Sequence, residues 1–130
     1  MRYINLLDKA SNVKTKQCFM YNNTIFFAVP KELISRAIGP AAVHVRRIQE
    51  HLGKKVRIIQ EPEGLRDANR FIHDLINPGK FKSLEIKDNC FIINAGSNQT
   101  KAILFGRNKR RLMELQKIVQ DVYSMELKII

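Results

Sequence analysis

The two halves of this 130-residue chain run through one order of hydrophobic periodicities, and that repetition restricts the fold more than any other feature. In the first half, Tyr3, Ile4, Leu7 and Ala10 recur at helical spacing ahead of Ser11 and Asn12. Two strand-like runs follow, Lys16 to Tyr21 and Thr24 to Val29, and Asn22-Asn23 between them can supply the positive φ of a tight turn. Pro30 opens a helix over Lys31 to Ile38. Gly39-Pro40 halts it, and a second helix begins at once with Ala41, Val45, Ile48 and Leu52 on one face. Gly53 ends that helix, and Lys54 to Gln60 alternates around Val56 and Ile58 as a strand.

The order then recurs. A helix carrying Ala68, Phe71, Ile72 and Leu75 stops at Asn77-Pro78-Gly79, and strands follow around Phe81 to Lys87 and Cys90 to Asn94. A short helix near Asn98 to Phe105 breaks at Gly106, a longer one carries Leu112, Leu115, Val119 and Val122, and Met125 to Ile130 closes as a strand. Each copy therefore reads αββααβ, an α+β two-layer unit with a three-stranded sheet covered by helices on one face. The expected boundaries are 1–62 and 63–130, with Glu61-Pro62-Glu63-Gly64 as a short connector. About sixty residues make a small core, so the copies are expected to pack on each other with little freedom. Tyr21, Phe26, Phe27 and Phe91 read as core or inter-unit contacts.

Charge narrows the function. Lys and Arg number 23 against 12 acidic residues, a formal net charge of +11 that favours polyanionic partners, nucleic acid first. No run of roughly 18 apolar residues argues for a membrane. Cys18 and Cys90 belong to no metal-ligand spacing and read as buried free thiols. The opening residues are too short in apolar character for a signal peptide, which places the protein in the cytoplasm. His44, His51 and His73 show no HxxxH or HExxH spacing, no GxSxG or GKS loop is present, and Asp8, Glu32, Asp67 and Asp88 sit at element ends where caps and turns explain them. No catalytic role, metal or cofactor is expected.

Two short helices joined by a Gly-containing loop, then a basic second helix and a strand, look like the core of a KH domain. The leading helix and strand of each copy make it the type II arrangement. The stretches AIGPAAVHVRRIQEHLGKKVRII, FIHDLINPGKFKSLEI and FGRNKRRLMEL, in this order, resemble the archaeal NusA-like transcription factors, which consist of little more than two KH domains. The resemblance covers nearly the whole chain. It implies a monomeric single-stranded-RNA-binding factor acting on nascent transcripts in elongation, termination or antitermination.

In a KH domain a GxxG loop brings its backbone against the phosphates, and the bases lie in an adjacent apolar groove. Carried onto this chain, the loops are Gly39-Pro40-Ala41-Ala42 and Gly106-Arg107-Asn108-Lys109, so both depart from GxxG at the fourth position and lose a glycine tolerant of positive φ. Ala42 is still small, and Pro40 can preset the helix entry. Arg107, Lys109, Arg110 and Arg111 crowd a helix N-terminus, where cations oppose the macrodipole unless an anion is bound; the bland reading is a solvated helix end. In the first copy Arg36 precedes the loop, and His44, Arg46 and Arg47 follow it on the polar face of a helix. These reach RNA, or else Arg46 and Arg47 pair with Glu50 and His44 is merely exposed. Ile38 and Phe105, just before the two glycines, line the base groove or pack into the core. The competing function is a protein-interaction module: a KH pair that has given up RNA and docks on RNA polymerase or a ribosomal particle.

Overall fold

The computed structural model describes the backbone of residues 2–13, 15 and 17–130, and the side chains from Leu6 onward with positions 14 and 16 left aside. The expected side chains of Tyr3 and Ile4 and the strand start at Lys16 lie outside the described residues. The chain is mixed α+β and divides into two compact units, Met1–Pro62 and Glu63–Ile130.

In the first unit α1 (Arg2–Ser11) precedes the hairpin β1 (Gln17–Tyr21) and β2 (Thr24–Val29), followed by α2 (Ile34–Ile38), α3 (Val43–Leu52) and β3 (Lys55–Gln60). Asn22 and Asn23 turn the hairpin with φ of 50° and 59°, as their types allow. β1 pairs antiparallel with β2, and β3 joins the other edge of β2 in parallel, Phe27 opposite Ile58. A parallel neighbour requires a long crossover, and here α2 and α3 form it. Their junction is thereby carried away from the sheet ladder as an exposed helix-helix corner.

β2 is the central strand and is buried along its whole length, which its near-continuous apolar sequence TIFFAV demands. Ile25, Phe27 and Val29 join Leu7, Val13, Ala37, Ile48 and Val56 in one core. Each fully buried large side chain contributes roughly 1.5–3 kcal/mol. Cys18 and Cys90 are free and only half-buried, a correction to the buried thiols expected.

The second unit repeats the plan: α4 (Ala68–Ile76), β4 (Ser83–Lys87), β5 (Cys90–Asn94), α5 (Asn98–Phe105), α6 (Arg110–Tyr123) and β6 (Glu126–Ile129), with sheet order β4-β5-β6 and β5 parallel to β6. Asp88 and Asn89 form its hairpin turn at φ of 52° and 61°. Phe91, Ile93, Leu115 and Val119 are fully buried, and the Tyr123 ring lies 4.9 Å from that of Phe91. Tyr21, Phe26, Phe27 and Phe91 are all buried. No helix among the described residues is long and apolar enough to cross a membrane.

Candidate nucleic-acid interface

The two helix-helix corners follow the same backbone path. Gly39 stands at φ 82°, ψ 167° and Gly106 at φ 72°, ψ 179°. The third residues, Ala41 and Asn108, have φ of 53° and 55°; the fourth, Ala42 and Lys109, have φ of 59° and 58°. Each corner is closed by the fourth residue's N–H donating to the glycine carbonyl, at 3.0 Å for Ala42 and 3.2 Å for Lys109. Each glycine N–H in turn donates to the helix behind it, Gly39 to Ser35 at 2.9 Å and Gly106 to Ala102 at 3.1 Å.

These angles explain which glycine survives. The first position lies in a region open essentially to glycine alone, whereas the fourth is left-handed helical, which other L-residues enter at roughly 1–2 kcal/mol. A residue other than glycine at the fourth position therefore holds this path at an energetic cost. The expectation that α3 begins at once after Gly39-Pro40 is corrected: it begins at Val43, and Ala41, read as part of its apolar face, stands in the loop with positive φ. Ala42→Gly should relieve the strain, offset in part by glycine's greater freedom when unfolded, for a net gain of about 0.5–1 kcal/mol. A urea titration that shows no gain contradicts this reading of the corner.

A second feature is common to both corners. The residue five places after the glycine reaches back to the carbonyl three places before it: His44 Nδ1 lies 2.9 Å from the Arg36 carbonyl oxygen, and an Arg111 guanidinium N–H donates to that of Ile103 at 3.3 Å. Each side chain passes over its glycine, so a Cβ there would sit 2.6 Å from His44 Nδ1 or 2.7 Å from Arg111 Cγ. This clasp satisfies a carbonyl in the last turn of the preceding helix, where no intrahelical partner exists. His44 and Arg111 are thus corner-forming residues first; with Nδ1–H donating to the backbone, His44 has only Nε2 to offer a ligand.

Arg46 donates to the Ala41 carbonyl at 2.6 Å and braces the same loop. Neither Arg46 nor Arg47 pairs with Glu50 among the described residues. Arg47 is not brought to the loop: it lines a cavity with residues of α1. Arg36 is exposed beside the corner.

At the second corner Arg107, Lys109 and Arg110 are exposed. The helices that leave the corners, α3 and α6, have no acidic residue in the first turn and no side-chain cap. α5 shows the contrast, its first turn capped by Ser97 Oγ accepting from the Thr100 N–H at 3.1 Å. Cations at a helix start with neither an acidic residue nor a side-chain cap oppose the macrodipole, and a bound anion offsets them. The Phe105 ring is half-buried and carries two ammonium groups, Lys101 at 5.7 Å and Lys109 at 5.9 Å from its centroid. Ile38 is likewise half-buried and outside the buried core. Sequence reasoning missed Lys101, although its spacing of four from Phe105 on a helix was the available signal.

Matched positions differ in polarity. Three before the glycine stand Arg36 and Ile103; seven after it, Arg46 and Met113. Ile103 is 50% exposed and Met113 58%. The first corner thus has an uncharged loop with arginines on its helices, and the second has a cationic loop with exposed apolar side chains on its helices. Among the described residues no cluster of three or more His, Cys, Asp or Glu side chains could hold a metal.

No family model matches the chain. It is 22% identical over 130 residues to a probable transcription termination protein NusA of Halococcus morrhuae, covering 94% of this chain and 91% of that one. It is 26% identical over 121 residues to a protein of the same description in Methanocaldococcus jannaschii, covering 90% of this chain and 64% of the relative, so it spans less than two thirds of that protein. A crystal structure of APE1850 shares the fold, with a TM-score of 0.72 at 20% identity over 99% of this chain and 96% of the other. The chain is therefore NusA-like over most of its length.

Proposed function

We propose that the units 1–62 and 63–130 are two type II KH domains that hold single-stranded RNA at the corners Gly39–Ala42 and Gly106–Lys109, with Ile38 and Phe105 as the apolar neighbours on which bases rest. The carrying observation is the corner itself, built twice on one backbone path and each time followed by an uncapped, unneutralised helix start. Arg107, Lys109 and Arg110 supply phosphate contacts at the second corner, and Arg36 does so at the first, where Arg46 braces the loop. A role in transcription termination is supported by the names of the two relatives, and action on nascent transcripts in the cytoplasm beside RNA polymerase is proposed as the extension of that role.

Exposed Ile103 and Met113 favour one second reading, a protein-docking module on RNA polymerase or a ribosomal particle. Equilibrium binding to a short unstructured RNA and to the same RNA annealed to its complement separates general polyanion attraction from a clamp. The single strand should bind at least tenfold tighter, since a duplex cannot offer splayed bases to a narrow groove. Equal binding of both forms counts against the KH reading.

A further inference from the structure

The first unit holds a cavity of about 270 Å³ between α1 and α3, lined by Leu6, Lys9, Ala10, Arg47, Ile48 and His51. Leu6 and Ala10 share one face of α1, a turn apart, and Arg47 and His51 are related in the same way on α3. The fold does not make this cavity by necessity. Twelve positions after the corner glycine the second unit has Ile118, 3% exposed, where the first has the exposed His51; eight positions after it, Glu114 stands where the first has Arg47. One unit has a buried isoleucine at this position, and the other has an exposed histidine beside an apolar cavity that Lys9 and Arg47 also line.

We infer that this cavity is a docking site for an acidic protein segment that inserts one bulky apolar side chain against Leu6, Ala10 and Ile48 and sets carboxylates beside Lys9, Arg47 and His51. The cavity stands at the small end of small-molecule sites, which run from roughly 300 to 1,000 Å³, and one bulky side chain fills it. The lining residues Leu6, Ala10 and Ile48 carry no polar side-chain atom, which suits an apolar side chain better than the polar edge of a nucleobase. A single apolar anchor ringed by charge suits a rim that steers an oppositely charged partner. Asp8 and Glu50 lie on the same helices and do not line the cavity. The site stands independently of the RNA reading.

The test uses the full chain and a short fluorescent peptide of Asp and Glu with Phe at its centre, with the same peptide carrying Ser there as control for bulk charge. The Phe peptide should bind at least tenfold tighter than the Ser peptide. The filled variant, Ala10→Leu with His51→Ile, should erase that preference while RNA affinity and thermal midpoint hold or rise. If filling lowers the midpoint, His51→Ile alone, the residue type the second unit has at the matched position, replaces it, and the same loss is expected. Equal binding of the two peptides, or an unchanged preference in the folded variants, overturns the proposal. So does a fall in RNA affinity on filling, which would make the cavity a nucleic-acid subsite.

Discussion

Gly39→Ala and Gly106→Ala should each destabilise the protein by about 3 kcal/mol in urea titration. The backbone there has φ of 82° and 72° with ψ near 180°, a region costing other residues roughly 1–3 kcal/mol. The new Cβ also displaces the side chain clasped above it, His44 or Arg111, and with it a hydrogen bond contributing roughly 1 kcal/mol. The sign is opposite to that expected for Ala42→Gly in the same loop. A loss below about 1 kcal/mol at either glycine would mean that the corner relaxes and that its shape is not dictated by the chain.

The triple change Arg107→Ser, Lys109→Gly and Arg110→Gln should weaken binding of unstructured RNA about 30-fold or more at moderate salt, with the log-log salt slope shallower by about 2, three phosphates at roughly 0.7 each. Glycine is chosen at Lys109 because φ is 58° there, and Arg111 is retained because it holds the clasp to Ile103. Stability should hold or rise, since the change removes cations from a helix N-terminus that they oppose. A lost affinity with an intact fold identifies side chains kept for a ligand at the expense of the helix. Unchanged affinity returns them to a solvated helix end.

The architecture was legible because each copy spends its apolar residues on strictly periodic positions. TIFFAV reads as a strand, which the sheet then places at its centre, and Leu112, Leu115, Val119 and Val122 read as one helix face. Asparagine pairs announced the first hairpin for the same local reason. Local rules failed at the corner. Alanine is the best helix former, so Ala41 reads as the first apolar residue of α3, whereas it and Ala42 stand at positive φ where the chain turns. The clasp of His44 and the departure of Arg47 toward α1 depend on where two helices meet, which spacing along one of them does not reveal. Residues quoted from the corners as ligand contacts thus divide into those that build the loop (Gly39, His44, Arg46, Gly106 and Arg111) and those left for a ligand (Arg36, Arg107, Lys109 and Arg110).

The central claim is that the paired corners grip the backbone of a single strand. Its most direct test is the salt dependence of binding of the intact protein to a short unstructured RNA. A log-log slope of about −3 to −5 is expected, corresponding to roughly four to seven neutralised phosphates at 0.7 per phosphate. A slope near zero, or weak binding that disappears at physiological salt and is indifferent to changes at both corners, would contradict it and leave a pair of domains whose ligand is another protein.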